Sequence, residues 1–349
     1  MNMSGHIRYR FVDYYKAISI ILVILGHTNF ANAGIRAWIY SFHMPAFFAA
    51  SGLLLRSDAG YSLPEAGSTL WKRFQSIIFP YFFWAIVYAA LTPLNVIKII
   101  YGSHVMLKSA GSLTSLWFLT TLFLALCYYE AAKLIFKSRL GTPVKLILMA
   151  ASFAVAALLP RIKYQYPWNF NVSFYAFGFV LLGNLLFPCI NAFRAKLLGM
   201  GKWKGSLLCA AVTLLFLAGT LLYHFNIPEK AKLVNTADAI YGNFPVFLVV
   251  AIFGTVFTAA ISVLLDLLLP AKPDLLSFIG QSTLCILVTH KPIIKELFAR
   301  VFYRIHLPAP VALIVTCVGT LVISCLLTLF INRYLPLLAG KVPKKTTAG

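Results

Sequence analysis

The chain has 349 residues, of which 60% are hydrophobic and only 11% are charged. This composition excludes a cytosolic enzyme, a disordered chain and a secreted disulfide scaffold, because soluble domains carry about 25% charged residues. It favours a polytopic helical membrane protein. A β-barrel is disfavoured, since the apolar residues come in runs of about 20 rather than in alternating segments of about 10.

The charge balance is strongly basic, with 30 Lys and Arg against 9 Asp and Glu, or a net charge of +21. Most of the basic residues lie between apolar runs, so the excess indicates membrane orientation and predicts no nucleic-acid partner. The six cysteines lie mostly inside apolar runs and form no CxxC pair. They are interpreted as small core residues, not as metal ligands or bridges.

Apolar windows long enough to cross a bilayer predict about ten transmembrane helices. The windows are 12–31, 38–55, 74–92, 113–132, 144–160, 171–190, 206–224, 241–265, 276–295 and 310–332. The prediction is therefore all-α, with one transmembrane domain over 1–349, a motif-bearing core of about 10–335 and no separate soluble domain. Neither an internal repeat nor a low-complexity linker is detected.

The loops predict the orientation. With the N-terminus inside, 19 of the 30 Lys and Arg residues fall on the inner side. This bias predicts a multi-pass protein of the cell inner membrane with both termini in the cytoplasm. A cleaved signal peptide is the alternative, because Ala31-Asn32-Ala33 imitates a cleavage site. Asp13 and Lys16 inside the first apolar run argue against cleavage.

Two ionisable residues in the first span share a helix face. Lys16 and His27 are 11 positions apart, close to three turns, which places them roughly 16 Å apart along the axis. Intramembrane ionisable groups are functional candidates by default. The alternatives are that Lys16 reaches the inner interface and pairs with Asp13 at i, i+3, and that His27 is an interfacial hydrogen-bonded histidine.

Two further histidines lie at similar predicted depth in the outer half of the membrane. His43 is in the second span, where Pro45 predicts a bend and the small residues 49–52 predict close helix contact. His290 ends the ninth span. Three imidazoles at one depth could form a metal site or supply a general base with partners. No carboxylate lies nearby in sequence to complete a usual metal site.

These patterns together resemble the acyltransferase-3 family of integral membrane acyltransferases. The matching motifs span residues 13 to about 292, and the wording Asp-Tyr-Tyr-Lys-Ala-Ile is closest to the fucose 4-O-acetylase-like branch. The motifs are Lys16…His27 preceded by Asp13, Phe42 to Gly52, the basic run Lys72 to Tyr81, Leu-Trp-Phe-Leu at Leu116 to Leu119, and Gly280…Ser282…His290-x-Pro292. The chain departs from the family at Lys16, where many members have Arg, and at Leu287, where an aromatic is common.

The resemblance implies O-acyl transfer from cytoplasmic acyl-CoA, usually acetyl-CoA, to a hydroxyl of a cell-surface or lipid-linked glycan. No permanently bound cofactor is expected, and no metal, because no carboxylate or thiolate is evidently placed in sequence beside the histidines. His27 would act as the base or as the acyl acceptor. If His43 and His290 support the site from the outer side, as their predicted depth suggests, the outer Lys291 and Lys295 would lie close to an acidic or phosphate-linked acceptor. The candidate catalytic residues are His27, Lys16, Asp13 and His290, and the candidate substrate-binding residues are His43, Ser51, Trp117, Lys72 and Arg73.

Two other functions stay open from the residues alone. The first is a multi-span transporter in which Lys16 and His27 line a proton or substrate path. Transporters often show inverted repeats and paired broken helices, and neither is detected here. The second is a purely structural membrane subunit, against which the intramembrane titratable groups argue.

Overall fold

The computed structural model describes residues 8–28, 30–56, 61–111, 113–137, 140–226, 233–270, 274–305 and 307–342, the last three of 274–305 by their backbone alone. Within these ranges the chain is helical and forms no β-strand. An isolated antiparallel bridge joins Asn235 and Ile240. The all-α prediction is therefore confirmed.

The helices of the first half vary from 6 to 20 residues. They are α1 (Arg10–His27), α2 (Ala33–Tyr40), α3 (His43–Gly52), α4 (Leu63–Arg73), α5 (Phe79–Tyr88), α6 (Pro93–Tyr101), α7 (His104–Ser109), α8 (Trp117–Phe136) and α9 (Thr142–Leu158). A π-helix, π1 (Phe74–Ile78), connects α4 to α5 without a break.

The second half contains the longest helices. They are α10 (Phe170–Gly199), α11 (Lys202–Thr220), α12 (Phe244–Leu268), α13 (Leu275–Gln281), α14 (Thr283–Pro292), α15 (Arg300–Ile305) and α16 (Ala309–Tyr334). A second π-helix, π2 (Ile293–Ala299), connects α14 to α15. It begins directly after Pro292, whose ring nitrogen cannot donate to the carbonyl four residues earlier.

Five helical segments of the described ranges are long and apolar enough to cross a membrane. This supports a membrane protein, whereas the count of ten stays a prediction. The five are Thr114–Phe136, Pro167–Gly199, Lys202–Phe225, Phe244–Leu268 and Ala309–Tyr334, and Thr142–Leu158 is a shorter apolar helix.

Two predicted spans are not single helices. The window 38–55 is divided between α2 and α3, with the break at Ser41 and Phe42. Pro45 lies in the first turn of α3, so the expected bend within one helix is wrong; the chain breaks before the proline instead. The window 276–295 is divided at Ser282 between α13 and α14. Breaks of this kind are tolerated at membrane depth where protein covers the freed backbone groups.

Helix α1 lies inside the bundle. It packs against α3, α12, α13, α14 and α16. Its apolar positions Ile20, Val23 and Ile24 are buried in the main core cluster. At the N-terminal end of α1, Arg10 pairs with Asp266 at 2.8 Å and donates to carbonyls at the end of α12. Because α1 is surrounded, its polar side chains face other helices instead of lipid.

Close helix contact at residues 49–52 is confirmed. The α3–α10 crossing has glycines on both sides, so that the two backbones approach each other. A Cβ at Gly52 would lie 1.9 Å from the carbonyl oxygen of Val180, and one at Gly183 would lie 2.0 Å from that of Ala49. Gly-mediated contact of this type is a common way for membrane helices to associate.

Gly183→Ala is therefore expected to destabilise the protein by about 1–3 kcal/mol, since the added methyl group forces α3 and α10 apart. The measurement is the thermal unfolding midpoint in detergent. Gly67→Ala is the matched control, because a Cβ at Gly67 meets nothing within 4 Å. Equal midpoints for the two variants would contradict the packing argument.

Candidate active site

The predicted shared face of Lys16 and His27 is confirmed by the continuity of α1. One uninterrupted helix runs from Arg10 to His27, so the two side chains lie on one face and roughly 16 Å apart along the axis. The helix ends immediately after His27, where Thr28 turns to extended backbone and its hydroxyl donates to the Leu25 carbonyl at 2.9 Å. His27 is thus held at the very end of a buried helix.

Helix α2 brings a tyrosine to His27. The side chain of Asn32 caps α2 by accepting a hydrogen bond from the Gly34 amide at 2.7 Å. At the other end of α2, the Tyr40 hydroxyl lies 3.1 Å from Nδ1 of His27. The Tyr40 ring also lies 5.0 Å, centroid to centroid, from the ring of His43. Tyr40 therefore connects the two histidines.

The third histidine meets His27 directly. The ring centroids of His290 and His27 are 5.2 Å apart. Nδ1 of His290 lies 2.7 Å from the Leu287 carbonyl and 3.1 Å from that of Ile286. A carbonyl only accepts, so Nδ1 carries the proton, and in the neutral ring Nε2 has a free lone pair. Nε2 is buried without a hydrogen-bond partner among the described residues.

His43 is held in the same way. Its Nδ1 lies 2.8 Å from the Ile39 carbonyl and must donate to it, and the side chain is almost fully buried. The contacts His43–Tyr40–His27–His290 bring the three histidines together, whereas their common depth in the membrane stays a prediction. The imidazoles form a row with Tyr40 inserted, and do not converge on one point. Within the described ranges no three His, Cys, Asp or Glu side chains are grouped to hold a metal ion.

A cavity of about 520 Å³ opens beside His27. Its volume is in the range of small-molecule sites, which run from about 300 to 1,000 Å³. The cavity is strongly basic. The cationic residues that line it are Arg36, Lys108, Lys291 and Lys295, and Gly26, His27, Tyr40, Gly111, Thr114 and Ile294 complete the lining. We call this space the His27 cavity.

A neighbouring cavity of about 530 Å³ shares Lys108 but has a different charge balance. Asp238 lines it and accepts a hydrogen bond from Nδ1 of His104 at 2.6 Å. Burial alone would raise the pKa of Asp238, but this hydrogen bond and the charges of His104 and Lys108 hold the pKa below its ordinary value. The carboxylate is therefore ionised at neutral pH and offsets the cations around it.

Lys16 and Asp13 lie at the other end of α1. Asp13 pairs with Arg8 at 2.6 Å. Lys16 is half-buried, and it has no carboxylate within 4.0 Å in the part of the chain that the structure describes, so the alternative Lys16–Asp13 ion pair does not form. Asp13 is 14 residues before His27, or roughly 21 Å along the helix. It lies too far from His27 to contact it.

None of the five predicted substrate-binding residues lines the His27 cavity, and His43 approaches it only through Tyr40. Ser51 is eight residues after His43 on α3, or roughly 12 Å along the axis, and donates to the Phe47 carbonyl. Trp117 is buried against the ring of His104, with a centroid distance of 6.3 Å. Lys72 is exposed on α4.

Arg73 is paired instead of free. Its guanidinium binds Glu130 at 2.7 Å, and the Glu130 carboxylate is 1% exposed. Tyr61 donates to the same carboxylate at 2.5 Å, and Nζ of Lys133 lies 3.5 Å from it. This cluster connects α4, α8 and the segment before α4. The guanidinium of Arg73 therefore already has a carboxylate partner, which Lys133 shares.

Sequence reasoning missed Tyr40, Arg36, Lys108 and Thr114. They lie in short helices and turns at the predicted outer face, and they belong to none of the motifs described above. An arginine before a predicted span and a lysine in a loop are ordinary interfacial residues. They line one cavity with His27 only because α2, α7 and the short turn that begins at Thr114 meet there in the fold.

The fold and the site together define an all-helical membrane protein in which a row of histidines opens into a basic cavity. An acyltransferase-domain family model, Acyl_transf_3, matches residues 9–329, and the chain therefore belongs to this family of acyltransferases. No curated protein and no solved structure was found to match the chain. Membership supports membrane acyltransferase activity over the transporter and the structural subunit.

Proposed function

We propose that the protein is an O-acyltransferase that moves an acetyl or other short acyl group from cytoplasmic acyl-CoA to a hydroxyl of a cell-surface or lipid-linked glycan. The observation that carries the proposal is the position of His27. It lines a cavity large enough for a sugar and lies on the same helix face as Lys16, roughly 16 Å away.

The chemistry requires a base at the acceptor. A sugar hydroxyl is a weak nucleophile at neutral pH and gains reactivity when a positioned base removes its proton. In our proposal His27 takes this proton through Nε2 while Nδ1–H donates to the Tyr40 hydroxyl, which the 3.1 Å contact permits. The hydroxyl oxygen attacks the thioester carbonyl, and collapse of the tetrahedral intermediate releases CoA thiolate. The imidazolium returns the proton to that sulfur.

The donor has to reach His27 from the other side of the membrane. An extended pantetheine arm spans on the order of 16–20 Å, which is comparable with the rise between Lys16 and His27. Lys16 would meet the CoA phosphates at the inner mouth, where a cation without a carboxylate partner suits them. Lys72 is exposed on the same predicted side and is a second candidate. Arg73 is the weaker candidate because Glu130 already binds it.

The first-span motif supports the proposed acceptor class. The sequence of residues 13–18 resembles that of the fucose 4-O-acetylase-like branch, which modifies cell-surface sugars. We propose the same kind of acceptor here. We also propose that the protein lies in the cell inner membrane with both termini in the cytoplasm, as the loop charges indicate.

The test compares surface glycans from cells that carry the intact gene, no gene, or the His27→Ala allele. Mass spectrometry should detect a gene-dependent gain of one acyl group per modified sugar, absent with the His27→Ala allele. Purified protein in liposomes with labelled acetyl-CoA should give a labelled glycan product. Glycans with identical acylation in all three strains, together with no acyl-CoA-dependent product in liposomes, would refute the proposal.

The reaction is expected to survive treatment with a metal chelator, because the row of histidines supports the base and binds no metal. Both His43→Ala and His290→Ala should lower turnover, but each less than His27→Ala. A residue that orients the base contributes less to the rate than the base that takes the proton. Turnover is measured before and after chelation and after added zinc. Activity that is lost in the chelator and restored by zinc would contradict this prediction.

A further inference from the structure

The cations around the His27 cavity have no carboxylate among the residues that line it. The neighbouring cavity differs, because Asp238 lies in its wall. The two cavities have similar volumes and share Lys108. The two cavities therefore differ in charge because their lining residues differ, and a general excess of basic residues on this side of the protein does not explain the difference.

Three of the four cations also form no ion pair with a carboxylate within 4.0 Å in the described ranges. Nζ of Lys291 donates to the Thr114 hydroxyl at 2.7 Å, which is a neutral acceptor. Arg36 donates from one terminal nitrogen to the Thr28 carbonyl at 2.8 Å, while its Nε is buried with no partner. The exposed Lys108 forms no ion pair within 4.0 Å.

The fourth cation is only weakly compensated. Lys295 lies 3.7 Å from the Glu296 carboxylate, which also pairs with Arg300. All four cations thus face one partly enclosed space, and Asp238, the carboxylate that interacts with Lys108 and Lys291, lies in the wall of the neighbouring cavity instead. Clustered like charges in a cleft focus a positive potential and repel each other, an arrangement that an anionic ligand relieves.

We propose that the His27 cavity selects an anionic acceptor, in which a carboxylate or a phosphate lies on or next to the sugar that is acylated. This inference rests on the proposed acyltransferase function and names the chemical class of its acceptor. Lys291 and Arg36 hold the anionic group, and Lys108 and Lys295 add charge at the opening. His27 then faces a hydroxyl of the same or the adjacent sugar.

The position of the cavity favours the acceptor over CoA as the anion. The cavity lies at the His27 end of α1, whereas Lys16, the proposed donor-side cation, lies roughly 16 Å away at the other end. If the CoA phosphates bound in the His27 cavity, the extended pantetheine arm would hold the thioester away from His27, where this base could not assist the transfer. The acceptor hydroxyl, by contrast, must be beside His27 for proton transfer.

Binding of soluble probes tests the charge preference without needing turnover. Isothermal titration calorimetry on the full-length protein in detergent would use glucose 1-phosphate, glucuronate and glucose. The two anions should bind at least about 10-fold more tightly than glucose, as expected for hydrogen bonds to charged groups. Their affinity should fall as salt is raised. Equal affinity for the three probes, or no binding of either anion, would overturn the inference.

Variants then locate the binding. K291Q and K108Q should each weaken binding of the anions by about 10-fold, and K291R should restore most of it, which separates lost charge from misfolding. K163Q is the matched control, because Lys163 is a lysine of the neighbouring cavity alone. A loss in K163Q as large as that in K108Q would mean that a diffuse positive field, and no site, attracts the probes.

The native product separates this inference from the proposed function. Fragmentation of the acylated glycan identifies the modified sugar and its neighbours. Gene-dependent acylation of a sugar with no carboxylate or phosphate on it or beside it would overturn the anionic acceptor and leave the acyltransferase standing. Charge-dependent probe binding without any gene-dependent acylation would instead overturn the proposed function.

Discussion

Replacing His27 with alanine is expected to lower the turnover of acyl transfer by at least about 100-fold, the usual contribution of general acid–base catalysis. The physical reason is that, among the described residues, no other imidazole and no carboxylate lines the His27 cavity. Its neighbour His290 has a free lone pair on Nε2 but is fully buried, so a sugar in the cavity does not reach it. The measurement is the initial rate with saturating acetyl-CoA and the isolated glycan acceptor.

The matched control is His224→Ala, because His224 is exposed and lies outside the cavity. Both variants should express and unfold alike, so that a difference in rate reports on chemistry. Acetyl-CoA should still bind to His27→Ala, since the donor-side cation is untouched. A well-expressed His27→Ala protein with nearly normal turnover would remove this residue from the mechanism.

Replacing Lys16 with alanine is expected to weaken acetyl-CoA binding by about 10- to 100-fold, the contribution of a hydrogen bond to a charged group. The reason is that Lys16 is half-buried and has no acidic partner within 4.0 Å in the described ranges, so its charge is available to a phosphate. Lys16→Arg should keep much of the affinity, because it keeps the charge and adds donors. Binding is measured by calorimetry with acetyl-CoA and a non-transferable analogue.

Lys204→Ala serves as the control for lost charge on the predicted inner side, since Lys204 is exposed at the start of α11. Its affinity for acetyl-CoA should stay within about two-fold of the wild type, as for an ordinary surface charge. If Lys16→Ala binds acetyl-CoA normally and loses only turnover, Lys16 has a structural or relay role and the donor-side role is wrong.

Long apolar windows predicted their helices well. The window 310–332 matches α16 at Ala309–Tyr334, and 144–160 matches α9 at Thr142–Leu158. The surroundings of these segments are apolar along their whole length, whether lipid or protein core. Local hydropathy therefore determines where the helices begin and end. The helices were predicted less well where the window contains polar residues and prolines. The division between α2 and α3 depends on neighbouring helices that cover the freed backbone groups.

The site was predictable only along one helix. Lys16 and His27 share a face because the helical period alone brings them into register. The partners of Arg73 were not predictable, because Glu130 is 57 residues away and reaches it only when α8 packs beside α4. The same holds for Tyr40, which contacts His27 only because the chain turns back after Thr28.

The amino-acid sequence by itself determined the class of protein, the apolar helices and the Lys16–His27 face, since composition and period act locally along the chain. The tertiary structure decided the row of His43, Tyr40, His27 and His290 and the basic cavity beside it. The physical reason is that α1, α2, α3, α7 and α14 each contribute one or two side chains there. Their meeting point depends on how these helices pack, and no periodicity within one helix encodes it.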